Sequence, residues 1–256
     1  MCPEDIVQCA NYISSCMARI TAEGLILEIG SDFDRFIDAI DNHSSRGPVT
    51  PKFDPRIERL GENNAFWILG RNGKGEVVHT QAIRIMDIGD GTLAEHIREE
   101  FPAYTPPLWN LVSDMEQYRP GPGSLTIRGT ACYHGDFWLK GGKDGFRGRG
   151  MNVLTARLAM AICMMKWDPD YIYAYMHSLV ACNGIAPRSG FMHMEQNNVF
   201  WSIPGYDELL EAWMVWSGRE DIMHFISSTS LSLADQLAAS RPAEFDRKKR
   251  KSEAAA

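Results

Sequence analysis

The sequence lacks the cysteine spacing that is typical of a zinc site or a dithiol redox motif. Its six cysteines form no C-x-x-C pair. Cys2, Cys9 and Cys16 are seven residues apart and would lie roughly along one face of a helix. Because free cysteine packs well as a small apolar side chain, we interpret these three as a buried stripe, with a redox or metal role as the alternative.

The chain also lacks a long apolar run and an N-terminal targeting pattern. Glu4 and Asp5 stand where a secretory signal would carry basic residues, and no long apolar stretch follows them. Polar and charged residues interrupt the most apolar segment, 151–167, which is too short to span a bilayer comfortably. We therefore expect a cytoplasmic protein with no membrane partner, and a buried helix over 151–167.

Positive charge is scarce outside one short run. The chain has 26 Lys and Arg against 33 Asp and Glu, and five of the basic residues lie in 247–251. Without that run, 21 basic residues face 33 acidic ones, a net charge of −12. An acidic body is a poor match for phosphates of nucleic acid, so we expect no nucleic-acid partner.

We predict a disordered basic tail over 236–256 and a single domain over 1–235, with a core of about 60–205 after an N-terminal extension.

Apolar periodicity predicts an α/β domain with a mixed central sheet and flanking helices. The predicted helices are 4–20, 33–40, 92–101, 151–167 and an amphipathic helix over 208–226. The predicted strands or extended segments are 65–69, 76–86, 124–130, 131–140, 171–177 and part of 192–203. The first two strands are joined by turn-forming residues at 71–75 and should form a hairpin.

A glycine-rich turn joins a predicted strand to the helix over 151–167. We call this turn, residues 141–150, the glycine loop. The first N–H groups of a helix have no partner within it, and the helix dipole adds positive charge there. Gly148 and Gly150 allow an anion to approach the backbone closely, while Arg147 and Arg149 bring cationic side chains. The pattern indicates a binding site for a pyrophosphate.

Two familiar phosphate-binding motifs are excluded by spacing. A Walker loop requires Gly-Lys followed by Ser or Thr, and this order does not occur in the chain. The dinucleotide fingerprint G-x-G-x-x-G fails because Val153 stands at its third glycine.

Residues 147–152 resemble the pyrophosphate-binding loop of the GCN5-related N-acetyltransferases (GNAT superfamily), written Q/R-x-x-G-x-G/A. Arg147 takes the first position and Gly150 the glycine, while Asn152 stands where glycine or alanine is usual. A second segment, 184–191, resembles the closing segment of that family, which ends in Gly-Phe. The resemblance covers about 80 residues, near 125–205.

The resemblance implies a GNAT-like acyl-CoA N-acyltransferase fold and an acyl-CoA site. The co-substrate, acetyl-CoA or another acyl-CoA, would dock where two parallel strands diverge, at about 133–140 and 171–177. The residues that would bind it are Trp138, Leu139, Lys140, Arg147, Gly148, Arg149, Gly150, Met151 and Asn152. His193 and Glu195 have no second His or Cys at ligand spacing, so we expect no metal site there.

The resemblance also suggests where catalytic groups would lie. The base is often a carboxylate early on the first diverging strand, which makes Asp136 the first candidate and His134 the second. Ala186 stands where the family often has a proton-donating tyrosine. Its replacement would be Tyr175, or else Tyr173 or His177. Ordinary packing in a strand is the competing interpretation for each.

We expect an enzyme that moves an acetyl or short acyl group from acyl-CoA to a small-molecule or peptide amine. The alternative is a non-catalytic acyl-CoA-binding module, which Asn152 and Ala186 favour. A relative of the acyl-homoserine-lactone synthases is a third interpretation that no block of residues supports. The sequence does not identify the acceptor. It also leaves open whether the chain forms a homodimer.

Overall fold

The computed structural model describes residues 1–41, 46–100, 120–201 and 210–228, and the side chains of all of these except 197–201 and 210. The helices are α1 Pro3–Ala22, α2 Phe33–Asp41, α3 Leu93–Glu100, α4 Pro122–Thr126, α5 Met151–Trp167, α6 Ser178–Cys182, α7 Ile185–Ser189 and α8 Arg219–Ser228, with one 3-10 turn at Pro51–Phe53. The strands are β1 Ile26–Gly30, β2 Ala65–Arg71, β3 Val77–Gly89, β4 Gly129–Leu139, β5 Tyr171–His177, β6 His193–Trp201 and β7 Leu210–Gly218.

Within the described ranges, the strands form one seven-stranded sheet in the order β1-β2-β3-β4-β5-β7-β6. Each neighbouring pair is antiparallel except β4 and β5, which are parallel. α1, α5 and α8 share one apolar cluster with one face of the sheet, while α2 and α3 pack on the other face. The predicted mixed central sheet with flanking helices is confirmed.

α5 is buried on nearly every side because it lies between the sheet and α1, with α7 and α8 also in contact. α1 runs antiparallel to α5. The Met1 ammonium lies 2.7 Å from a carboxylate oxygen of Asp168, the residue that ends α5. Arg219 joins the same corner, donating to Asp168 and to Asp5 at 2.7 Å each. The end of α1 therefore lies beside the start of α5.

Several predicted elements agree closely with the structure. The buried helix over 151–167 and the strand over 171–177 have the predicted bounds, and the hairpin is formed by β2 and β3. The helices predicted at 4–20 and 33–40 are α1 and α2. Among the described residues, no helix has the length and apolar character that a membrane span needs.

The predicted amphipathic helix over 208–226 is wrong. Residues 210–218 form β7, and only the part from Arg219 onward is helical. β7 lies between β5 and β6 and is buried on both faces, by Ala212 and Met214 on one side and by Val215 on the other. A strand buried on both faces carries an almost continuous apolar run, which a helical spacing also fits.

Two further elements differ from the prediction. The extended segment predicted over 124–130 begins as α4, and β4 starts only at Gly129. β1 was not predicted, because five partly exposed residues at the sheet edge give a weak pattern.

The cysteine stripe is confirmed for Cys9 and Cys16, which are buried, whereas Cys2 is exposed and its Sγ caps α1.

The tail at 236–256 lies outside the described residues, so the predicted domain bounds stay a prediction.

Candidate functional site

The central feature of the site is a cleft where β4 and β5 diverge. The two strands pair only from Ala131 with Tyr171 to Tyr133 with Tyr173. Beyond Tyr133, β3 is the one strand among the described residues that pairs with β4, and the register there contains one extra residue near Asp136, whose φ is +50°. Such a bulge bends a strand and increases its local twist, which accounts for the divergence.

A cavity of about 890 Å³ occupies this cleft. Its walls come from β4 and β5, from the glycine loop with the first turn of α5, and from the α6–α7 segment. The end of α1 and residues 46–50 close its sides. A cavity of this size is in the range of small-molecule and cofactor sites.

The glycine loop brings an uncapped helix N-terminus to the cavity. Gly148 and Gly150 have φ of +83° and +76°, a backbone region that favours glycine. Gly150 is the N-cap of α5, and no side chain of the described residues caps this helix. Gly145 lies so close to the preceding strand that a Cβ there would be 2.2 Å from the Lys140 carbonyl oxygen. The loop therefore depends on glycine, and it leaves N–H donors at the cavity wall.

Two arginines of the loop are exposed beside these donors. Arg147 Nε donates to the Leu139 carbonyl oxygen at 2.5 Å, which ties the loop to the end of β4. The Arg149 guanidinium lies 5.2 Å from the centre of the Phe146 ring. Of the residues predicted to bind the cofactor, all except Lys140 line the cavity. Lys140 Nζ lies instead 3.3 Å from Glu76.

Sequence reasoning missed Arg19, which comes from the N-terminal extension. It lies in the last turn of α1 and lines the cavity together with Glu23. Because α1 runs antiparallel to α5, this turn is close to the open N-terminus of α5. Arg19 Nε is buried and has no hydrogen-bond partner among the described residues. The pattern of α1 contains no signal that would have assigned it to the site.

Asp136 lines the cavity and is held there by several hydrogen bonds. Its carboxylate accepts from Arg46 Nη2 at 2.8 Å, from the Thr50 N–H at 3.1 Å and from Thr50 Oγ1 at 2.9 Å. The side chains of Arg46 and Asp136 are 5 % and 2 % exposed. The carboxylate therefore fixes residues 46–50 against β4, and each of its oxygens already accepts hydrogen bonds.

His134 lies on the opposite face of β4, toward α5. Its Nε2 is 2.9 Å from Gln81 Oε1, and Gln81 Nε2 donates to the Thr155 carbonyl oxygen at 2.9 Å. The other ring nitrogen, Nδ1, is buried without a partner in the described part of the chain. Burial lowers the pKa of His134 to about 4, so the imidazole is neutral at neutral pH.

Tyr175 lines the cavity and is half-buried, with its ring 6.2 Å from that of Tyr133 and 6.1 Å from that of Tyr173. Tyr173 is fully buried outside the cavity lining, and burial raises the pKa of its hydroxyl well above the usual range. His177 lines the cavity, and its Nδ1 caps α6 by accepting from the Leu179 N–H at 3.1 Å. Of the proposed replacements for the missing tyrosine, Tyr175 and His177 therefore reach the cavity, whereas Tyr173 does not.

Ala186, where that tyrosine would stand, is fully buried in α7. The remaining candidates for metal ligation are used in other contacts. His193 Nε2 lies 3.0 Å from Asp221, and Glu195 accepts from the Gly123 N–H at 2.8 Å. Within the described ranges, no group of three or more potential ligands could hold a metal ion.

Comparison with known proteins finds solved structures at low sequence identity. No family model matches the sequence, and no curated protein matches it at a significant level. A spermidine N-acetyltransferase chimera from Vibrio cholerae and hSSAT has 8 % identity and a TM-score of 0.44, covering 78 % of this chain and 98 % of that one. Aminoglycoside acetyltransferase AAC(6')-Ib, solved with coenzyme A and kanamycin, has 12 % identity and a TM-score of 0.40, covering 80 % and 99 %.

The AHL synthase LasI is similar to the same degree, with 14 % identity, a TM-score of 0.40, and coverage of 78 % of this chain and 94 % of its own. Similarities at this level leave the family and the substrate open. Two features of the described structure agree with the sequence resemblance. Two parallel strands diverge in a mixed sheet, and the glycine loop begins the helix between them, as the sequence resemblance implied.

Proposed function

We propose that this protein transfers an acetyl or other short acyl group from acyl-CoA to an amine. The observation that carries the proposal is the cavity between the diverging strands, which has an uncapped helix N-terminus and cationic side chains at one end. This end suits the pyrophosphate of CoA, because free N–H groups and the helix dipole stabilise phosphate charge. The strands β4 and β5 would then enclose the pantetheine arm and the thioester.

Each part of the site has a role in this proposal. Arg147, Arg149 and the N–H groups of Gly148 to Asn152 bind the pyrophosphate, and Arg19 adds a third guanidinium from α1. Trp138 and Leu139 border the acyl arm. Beyond Tyr133 the edge of β4 that faces β5 pairs with no strand in the part of the chain that the structure describes, so its backbone groups are available to the thioester and to the oxyanion that forms from it.

The chemistry requires a neutral amine, a proton acceptor and a proton donor. The amine nitrogen attacks the thioester carbonyl, its proton leaves to a base, and the thiolate of CoA departs. Asp136 and His134 are the candidate bases, and Tyr175 is the candidate donor to the thiolate. An amine of a small molecule or a peptide is the proposed acceptor, and the acidic body of the chain favours a cationic one.

The proposal is tested by stabilisation of the folded protein with acetyl-CoA. A ligand that binds only the folded state adds about 2.7 kcal/mol at a concentration of 100 Kd, which a thermal-unfolding scan detects. We expect Arg147→Glu to abolish the rise in Tm while the free protein still folds. Arg59→Glu, at an exposed arginine outside the cavity lining, is the matched control and should retain it. Absence of any shift with millimolar acetyl-CoA refutes the proposal.

A non-catalytic acyl-CoA-binding module is the second candidate. It is favoured by the fully hydrogen-bonded carboxylate of Asp136 and by Ala186 at the usual tyrosine position. Release of free CoA thiol, measured with a panel of amines, separates the two. Stabilisation by acetyl-CoA without thiol release from any amine supports the module.

A further inference from the structure

We propose that His134 is the base of the transfer and that Gln81 is a positioning residue that keeps its Nδ1 unprotonated. This inference rests on the proposed acyl transfer. Two facts about the cavity wall motivate it. His134 is one of the residues that line the cavity, and its Nδ1 is a buried nitrogen with no partner among the described residues.

The hydrogen bonds determine which ring nitrogen carries the proton. The Thr155 carbonyl oxygen can only accept, so the amide nitrogen of Gln81 must face it. Gln81 Oε1 then faces His134 and also can only accept. His134 Nε2 must therefore donate its N–H, and a neutral ring with a proton on Nε2 has a bare lone pair on Nδ1.

The neighbours of His134 hold the ring without competing for this lone pair. Its ring contacts Phe137 at a centroid distance of 6.0 Å and Phe191 at 6.2 Å. One titratable neighbour is His79, whose Nδ1 is 2.8 Å from the Trp138 carbonyl oxygen and which is also neutral, since burial lowers its pKa to about 3. No charged side chain is among the causes that shift the pKa of His134.

Asp136 is a weaker candidate on the same grounds. Its carboxylate already accepts from Arg46 and from the backbone and side chain of Thr50. Taking a proton from the amine would require giving up the charge that holds a buried guanidinium. His134 has no such obligation.

The proton balance of the reaction is complete with His134 alone. As the amine nitrogen bonds to the carbonyl carbon, its proton passes to Nδ1, directly or through one water. The C–S bond then breaks, and the imidazolium returns the proton to the departing thiolate. Products are the amide and the CoA thiol, and His134 is neutral again. A proton-donating tyrosine at position 186 is not needed in this sequence of steps.

The first test needs neither substrate nor activity. Long-range ¹H–¹⁵N NMR spectra of the free protein distinguish the two neutral tautomers, and the His134 signals are those that disappear in His134→Asn. We expect the Nε2–H tautomer in the wild-type protein and a mixture in Gln81→Met. An Nδ1–H tautomer in the wild-type protein overturns the proposal, whatever the activity proves to be.

The second test separates positioning from stability. We expect Gln81→Met to lower kcat at least about tenfold, and His134→Asn by about 10²–10⁴-fold, the usual range for general base catalysis. KM for acetyl-CoA should stay within about twofold because the pyrophosphate end is untouched. Gln81→Glu places a carboxylate beside Nε2, which raises the pKa of His134, so the acidic limb of kcat moves to higher pH. Gln8→Met, at an exposed position of α1, is the control.

Unchanged kcat in Gln81→Met and an unmoved limb in Gln81→Glu would remove Gln81 from the mechanism. Full activity of His134→Asn would remove His134. The rise in Tm with acetyl-CoA is measured on the same variants. If the proposed function is wrong, acetyl-CoA does not raise the Tm of the wild-type protein either. That failure is therefore distinguishable from the outcomes above.

Discussion

Two buried neutral histidines should make this protein sensitive to mild acid. Burial lowers the pKa of His79 to about 3 and that of His134 to about 4, from an ordinary value of 6.5. Below pH 6.5 the unfolded chain binds protons that the folded one does not, so stability is complete above this pH and falls as the pH falls through it. The slope approaches about 1.4 kcal/mol per pH unit for each histidine, or about 2.7 for both.

Between pH 7 and pH 5, protonation of the two histidines in the unfolded chain should lower the free energy of unfolding by about 4 kcal/mol, and either histidine alone should lower it by about 2 kcal/mol. This is a large part of the roughly 5–15 kcal/mol of a typical domain. Carboxylates with lowered pKa values, such as Asp54 and Glu76, lose their contribution only at lower pH, because their unfolded values are near 4. The window from pH 7 to pH 5 therefore isolates the histidines.

Urea unfolding followed by tryptophan fluorescence at several pH values measures this loss. We expect His79→Gln to halve the fall in unfolding free energy between pH 7 and pH 5, to about 2 kcal/mol. The amide can still donate to the Trp138 carbonyl oxygen but does not titrate. His224→Gln, at an exposed position, should keep the wild-type slope. A flat wild-type profile, or an undiminished slope in His79→Gln, would refute the reasoning.

Two other substitutions test the walls of the cavity. Asp136→Ala leaves the buried guanidinium of Arg46 without its carboxylate and should destabilise the protein by about 3–5 kcal/mol in urea unfolding. A loss below about 1 kcal/mol would mean that water takes the place of the carboxylate. Arg19→Met should weaken CoA binding, measured by calorimetry, by about tenfold, or about 1.4 kcal/mol, and leave the free protein folded. The control Arg59→Met should bind CoA as tightly as the wild-type protein. Equal affinities of the two variants would mean that Arg19 does not contact CoA.

Local features of the site could be predicted from the sequence. The glycine loop is a continuous segment in which strand end, positive-φ glycines and helix start follow one another, so its geometry follows from nearest neighbours. The same holds for α5, whose end at Asp168 and start at Gly150 are determined by adjacent residues. Nothing further away in the chain had to be known.

Residues that act from a distance could not be predicted. Gln81 is 53 positions from His134 and Arg46 is 90 positions from Asp136, so these pairs exist only once the sheet has assembled. Arg19 reaches the site because α1 happens to run antiparallel to α5. β7 was mistaken for a helix for a related reason, since its burial on both faces depends on β5 and β6.

The bulge in β4 explains why the two candidate bases have different surroundings. In a regular strand, His134 and Asp136 would point to the same face, since alternate residues do. The left-handed φ of Asp136 and the extra residue beside it break this alternation. The carboxylate then meets Arg46 and Thr50 on one face, while His134 meets Gln81 on the other. The distortion that opens the cleft thus also places the Asp136 carboxylate against residues 46–50, while His134 lines the cavity with an Nδ1 that has no partner among the described residues.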